Sequence, residues 1–288
     1  MIAGLFPGQG VATRAILEAL LPGDPVLEVA DEVLGYDLRS KVEKGARLTV
    51  LPTRIAQPAI FVASLISSRT ARDGGIGFSH LIGHSLGEYA ALTTAKAFSF
   101  RDGLRVVSVR GEAMDEAVRN QPGGMVALIG PDHEALTDIA AKAGVAVAND
   151  NSPRQIVVAG QHPELESAAS MARCQGARAL RLSVEAPFHT VAMSSAKDAL
   201  SQVLSTIEVR SPKVPVISNV TARPYRSPGE VRRLLVEQLT APVRFRESVE
   251  FALGLGALDF VDLGPGEVVG PLAAQTTEGN LNGEVAHV

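Results

Sequence analysis

Four short apolar runs with strand character, AGLF (3–6), HLIG (80–83), VPVIS (214–218) and ALDFVDL (257–263), are held apart by long stretches of helical pattern. This spacing constrains the fold more than any other feature of the chain. Neighbours so distant in sequence have room for crossover helices, which predicts parallel strands and an α/β class. TRIAQPAIFVASLISSRTA (53–71) is apolar around much of its circumference, the pattern of a helix buried inside such a fold.

The middle of the chain has a different rhythm. From GMVALIG (124–130) to ARALRLSV (177–184), strand and helix patterns alternate as β-α-β-β-α-β, with a turn at DNSP (150–153). The expected architecture is therefore a large α/β-hydrolase-like domain with a parallel sheet, formed by residues 1–122 and 187–288. A small ferredoxin-like domain, residues 123–186, is inserted in it, and a ligand is expected in the cleft between them.

Composition enters mainly through what it excludes. The 288 residues carry a formal net charge of −4, so no broad cationic surface for nucleic acid is indicated. Arg232, Arg233, Arg244 and Arg246 lie close enough in sequence to form a local basic patch for an acidic partner, although such arginines also read as a solvated face. No run of about 18 apolar residues occurs, and the MIAGLFPGQG start lacks the basic and long apolar regions of a signal peptide. These features predict a cytoplasmic protein without a membrane span. The single cysteine, Cys174, reads as structural or inert. Only the last dozen residues read as disordered.

Gly83-His84-Ser85-Leu86-Gly87 fits G-x-S-x-G between a short strand and the helical EYAALTTAKAF. A serine there is either a helix cap or a nucleophile held out on a tight turn, and the strand-to-helix context favours the nucleophile. Serine needs a base, and histidine is the usual one because its pKa lies near neutrality. Of the six histidines, His189 in EAPFHT sits where the chain returns from the inserted segment, so its side chain is a candidate to face the cleft. Taken alone it reads more readily as a structural histidine.

Together with FPGQG (6–10), QPAIF (57–61), GHSLGEYAAL (83–92), VRGEAM (109–114), NSPRQIVVAG (151–160), APFHT (186–190), SNV (218–220), PVRF (242–245) and GPGEVV (264–269), these residues resemble one family throughout the chain. It is the malonyl-CoA:acyl carrier protein transacylases, with the related acyltransferase domains of polyketide synthases. The resemblance implies Ser85 as the acylated nucleophile, His189 as its base, and the backbone carbonyl of Gln238 orienting the imidazole in place of a triad carboxylate. On that reading the side chain of Gln238 matters little. The resemblance also assigns the oxyanion to the backbone N–H groups of Gln9 and Leu86, although FPGQG alone reads as a tight strand-to-helix turn.

Alone, Arg110 reads as a surface or packing arginine. In the VRGEAM block it resembles the family's malonate-binding arginine, whose planar fork suits a carboxylate. Gln57 would line the same pocket, and Asn151 would position the donor or shape the cleft; both also fit as ordinary helix and turn residues. Phe188 resembles the aromatic residue of malonyl-selective members. The implied partners are a CoA thioester donor and the phosphopantetheine of an acyl carrier protein, with no metal or other bound cofactor, and a monomer is expected. Val11-Ala12 and Glu267 depart from the family pattern and leave open an unusual acyl unit passed between carriers. A thioester hydrolase using the same Ser-His pair and a non-catalytic docking module are the other rivals.

Overall fold

The computed structural model describes residues 1–45, 48, 51–130, 132–184, 186–278 and 285–287. Its first half runs β1 (Ile2–Phe6), α1 (Thr13–Ala19), α2 (Pro25–Leu34), α3 (Leu38–Lys44), α4 (Thr53–Asp73), β2 (His80–Gly83), α5 (Gly87–Thr94), α6 (Phe100–Asn120), β3 (Gly124–Ile129) and α7 (His133–Ala143). There follow β4 (Ala146–Ser152), β5 (Gln155–Gly160), α8 (His162–Cys174), β6 (Arg178–Arg181), α9 (Ala196–Thr206), β7 (Val216–Ile217), α10 (Pro228–Gln238), β8 (Val243–Arg244), α11 (Phe245–Gly254), β9 (Asp259–Asp262), α12 (Val269–Thr277) and β10 (Val285–His287).

The protein is a mixed α/β structure. One sheet has five strands in the order β10-β9-β1-β2-β7, and every pairing in it is parallel. The four apolar runs read from the sequence supply β1, β2, β7 and β9, though β7 is cut to two residues. The last dozen residues, read as disordered, fall largely outside the described residues, but Val285–His287 add an edge strand beside β9. Helix α4 is buried around most of its girth, from Ala56 to Ser64 without interruption, so its apolar circumference has the physical cause inferred from sequence.

The second sheet has the order β6-β3-β5-β4-β8, with β3, β4, β5 and β6 paired antiparallel. Side-chain alternation gives it two apolar faces. Val126, Leu128, Ile156 and Val158 point into a core shared with α7 and α8. Met125, Ala127 and Val157 point the other way, into a cleft facing the large sheet. β4 continues through Ser152, which pushes the turn expected at 150–153 toward Pro153 and Arg154. One pairing was not foreseen: β8, which lies outside the 123–186 segment, runs parallel to β4 through Asn149↔Val243 and Asp150↔Arg244.

An ion-pair cluster reinforces that junction. Asp150 of β4 accepts from the guanidinium of Arg246 on α11 and lies 2.9 Å from His133 Nε2 at the start of α7. The four arginines read from sequence as a local basic patch or a solvated face are each paired. Arg246 is tied to Asp150 and Glu250, Arg244 to Glu247, Arg233 to Glu237, and Arg232 to the carbonyls of Leu204 and Ile207. Arg246 and Arg232 tie separate segments together, whereas Arg244 and Arg233 pair with carboxylates three or four residues on, Arg233 on an exposed face. Among the described residues no helix is long and apolar enough to cross a membrane. Cys174 is an exposed free thiol.

Candidate active site

The turn from β2 into α5 holds Ser85 at φ +52°, a left-handed conformation that costs a non-glycine residue energy and puts its side chain outward. The flanking glycines are required by contact. A Cβ on Gly83 would lie 2.0 Å from the Glu88 nitrogen, and one on Gly87 would lie 2.1 Å from the Phe6 oxygen. β1, β2 and the first turn of α5 pass too close together for any side chain there.

Asn219, just beyond β7, clamps the turn from both sides. Its Oδ1 accepts the Ser85 N–H at 2.7 Å, and its amide donates to the Gly83 carbonyl at 2.6 Å. The strained serine is thus held by a buried side chain from a distant part of the chain.

Ser85 Oγ lies 2.8 Å from His189 Nε2, and His189 Nδ1 lies 2.9 Å from the Gln238 carbonyl oxygen at the end of α10. A carbonyl only accepts, so Nδ1 carries the proton and Nε2 offers its lone pair to the serine. Burial, followed by the positive charge of Arg110, draws the His189 pKa down to about 3. The imidazole is therefore neutral, with the Nε2 lone pair free to accept a proton. His189 itself has φ +60°, a second strained residue at the same spot.

Arg110 extends from α6 to Ser85 and is almost fully buried. Its guanidinium donates to Ser85 Oγ at 3.0 Å, to Gln57 Oε1 at 2.9 Å and to Gln238 Oε1 at 3.0 Å, while its Nε has no acceptor among the described residues. The group also lies over the ring of Tyr89, 5.3 Å from its centroid. Burial pushes its pKa down, and among the described residues no carboxylate touches it. A buried guanidinium with neutral partners and an unused donor is chemically suited to receive an anion.

These groups open onto a cleft of about 780 Å³ between the two sheets, lined by Gln9, Ser85, Arg110, Asn151, Phe188 and His189 among others. The backbone N–H groups of Gln9 and Leu86 donate to no described residue, while the Gln9 side chain is tethered to Thr53 Oγ1 at 2.9 Å. Leu86 is buried at the start of α5. Asn151 Oδ1 lies 2.8 Å from His84 Nε2, and its amide donates to Gln155 at 2.9 Å, linking the small sheet to the elbow. Gln57 is fully buried against Arg110 and Met114. The residues that the family resemblance assigns to the site therefore lie in or directly behind this cleft.

Two parts of the site escape sequence reasoning, and one side chain is more engaged than expected. Glu88, fully buried one turn after the elbow, accepts hydrogen bonds from the Tyr225 hydroxyl, the Asn219 N–H and the Gln238 amide. Burial raises its pKa to about 7 against the opposing pull of those bonds and of Arg110. Asn219 and Glu88 sit inside the SNV and GHSLGEYAAL blocks, but no local pattern says where either side chain points. The Gln238 side chain, expected to matter little, makes contacts of its own: its Nε2 reaches the Ser85 carbonyl at 3.0 Å, and its Oε1 accepts from Arg110.

Residues 6–288 match the family described as acyl transferase domain. The chain is 38% identical over 281 residues to the malonyl CoA-acyl carrier protein transacylase of Bacillus subtilis, covering 94% of this chain and 89% of that protein. The crystal structure of an acyl carrier protein S-malonyltransferase from Vibrio cholerae superposes with a TM-score of 0.88 at 36% identity, over 99% of this chain and 96% of that one. A malonyl-transacylase structure solved in complex with a type II PKS acyl-carrier protein gives a TM-score of 0.89 at 35% identity, over 100% and 95% of the two chains.

Proposed function

Because the chain belongs to the malonyl-CoA:acyl carrier protein transacylase family of acyl transferase domains, we propose that it moves a malonyl group from CoA to the phosphopantetheine thiol of an acyl carrier protein. The setting would be fatty acid or polyketide biosynthesis in the cytoplasm. The observation that carries this reading is the buried Arg110 guanidinium 3.0 Å from Ser85 Oγ. In malonyl the carboxylate is separated from the reacting carbonyl by a single methylene, about 2.5 Å from carbon to carbon. An acyl group held on Ser85 can therefore place that carboxylate on the arginine directly, without a longer chain.

The mechanism follows from the atoms present. His189 Nε2 takes the Ser85 proton as Oγ attacks the thioester carbonyl, and the Gln238 carbonyl keeps the ring in the required tautomer. The oxyanion falls to the N–H groups of Gln9 and Leu86. Collapse of the tetrahedral adduct breaks the carbon–sulfur bond, and the thiolate leaves with the proton from His189. The carrier thiol then repeats the sequence in reverse, giving its proton to His189 and finally restoring Ser85. Arg110 turns from Ser85 Oγ to the malonyl carboxylate, with Gln57 fixing its plane. Phe188 beside the base limits space for a branched acyl unit. Asn151 shapes the donor side of the cleft. No resident cofactor enters the scheme, and the protein is taken to act as a monomer.

The same reading treats residues 1–122 and 187–288 as the α/β-hydrolase-like catalytic domain and 123–186 as the inserted ferredoxin-like domain. The β6-β3-β5-β4 order, with α7 and α8 sharing its core, supports it.

Intact-mass measurement with malonyl-, methylmalonyl- and acetyl-CoA in competition tests the proposal. The expected result is one malonyl adduct that passes to a carrier protein and is absent from Ser85→Ala. An adduct that persists in Ser85→Ala, or no adduct from any donor, overturns it.

A further inference from the structure

Arg110 poses an electrostatic problem that its direct contacts do not solve. Its partners Gln57, Ser85 and Gln238 are all neutral, and a buried cation requires a counter-charge. Glu88 stands one amide away. Gln238 accepts from Arg110 through Oε1 and donates to Glu88 through Nε2, so its side chain joins carboxylate to guanidinium.

We propose that Glu88 is the resident counter-charge of Arg110, relayed by the Gln238 amide, and that it takes up a proton when a carboxylated acyl group settles on Arg110. The inference rests on the malonyl-transfer reading and adds a positioning residue that helps the pocket discriminate for a second carboxylate.

The physical argument is charge balance in a buried site. With Glu88 ionised, guanidinium and carboxylate neutralise each other across one amide. A malonyl carboxylate brings a second negative charge to the same cation, and two anions sharing one guanidinium disfavour each other. Glu88 can relieve this by binding a proton. The groups facing it are the Tyr225 hydroxyl, the Gln238 amide of α10, the Asn219 N–H, Arg110 of α6 and Tyr89 on its own helix. The Tyr225 hydroxyl, already hydrogen-bonded to the Glu88 carboxylate, can reverse from donor to acceptor. A protonated Glu88 therefore has a partner ready and can keep its bonds to Gln238 and Asn219. Its pKa near 7 puts the exchange within the working range.

Acylation itself releases no net proton. Ser85 O–H and the thioester become the serine ester and the free thiol, with the serine proton ending on sulfur. Any uptake from solvent thus reports another group. An acetyl group acylates by the same balance but brings no second anion, so it leaves the Glu88 charge state unchanged.

The test is proton uptake in weak buffer with an indicator dye at pH 7, the adduct being counted by intact mass in the same sample. Wild-type protein should take up about half a proton per malonyl adduct, the share expected when a group half ionised at pH 7 becomes protonated. An acetyl adduct should take up none, and Glu88→Gln should abolish the malonyl signal. Tyr225→Phe, which keeps Glu88 but removes a donor to its ionised form, should shrink the uptake at equal adduct yield. A malonyl adduct formed without proton uptake, equal uptake for acetyl, or uptake unchanged in both variants would overturn the inference while leaving malonyl transfer intact. Failure of wild-type protein to form any malonyl adduct would overturn both.

Discussion

At the level of single residues, the arrangement replaces the acid of a serine–histidine–acid triad with a carbonyl and moves the carboxylate behind two amides. His189 is held by the Gln238 carbonyl at 2.9 Å, while Glu88 supports Gln238 and Asn219 from below. Asn219→Ala would remove both the acceptor of the Ser85 N–H and the donor to Gly83, freeing the strained elbow to relax. kcat for malonyl transfer should fall by about 10²-fold, the scale of a misplaced reacting atom, with less effect on KM; steady-state kinetics on folded variant protein checks it. Arg110→Ala should lower kcat/KM for malonyl-CoA about 100-fold or more, because a charge-assisted fork to a carboxylate is lost in a buried site. Acetyl-CoA, which has no carboxylate to place, should lose far less. Equal losses for the two donors would remove Arg110 from substrate recognition.

At the level of elements, the elbow depends on how closely β1, β2 and α5 approach. A Cβ on Gly87 would overlap the Phe6 and Pro7 backbone oxygens, at 2.1 and 2.8 Å, and neither main-chain atom can turn aside as a side chain would. Gly87→Ala should therefore destabilise the fold by about 3 kcal/mol or more, read by denaturant unfolding. Alanine at Gly10, whose Cβ would meet nothing within 4 Å, shares the glycine but lacks that clash; its cost should be confined to its φ of +112°. The G-x-S-x-G spacing makes this element legible in sequence because the requirement for glycine is local. The pairing of β8 with β4 was not legible, since two residues carry no periodicity and the pairing depends on where α10 delivers the chain.

For the whole molecule, two buried titratable groups make stability depend on pH in opposite senses. His189, drawn from 6.5 to about 3, leaves the folded protein with fewer bound protons than the unfolded chain between those values. Stability therefore falls as pH drops through that window. Glu88, raised from 4.5 to about 7, makes the folded protein bind more protons, so its contribution is full below 4.5 and is lost as pH rises through 7. Glu88→Gln should flatten the decline in melting temperature between about pH 5 and pH 8 while leaving the acid-side loss in place. Thermal unfolding across that range measures both, and an unaltered slope on the neutral side would contradict the raised pKa.

The α/β class and the strand-to-helix elbow that carries Ser85 follow from sequence, because each is written in spacing that local stereochemistry must obey. Strand runs with long gaps permit crossovers, and two glycines around a serine permit a tight turn. Ser85, His189, Gln9, Leu86, Arg110, Gln57, Phe188, Asn151 and the Gln238 carbonyl came from block resemblance along the chain. The tertiary structure alone decided what lies behind them. The Glu88 carboxylate and the Tyr225 hydroxyl meet across 137 positions, and the Ser85 N–H and Asn219 across 134. Such pairs leave no periodic trace, since a buried hydrogen bond between distant segments depends on how the segments are packed together. The same packing ties up Arg246 and Arg232, whose sequence positions say nothing about the Asp150 carboxylate and the Leu204 and Ile207 carbonyls the fold brings against them.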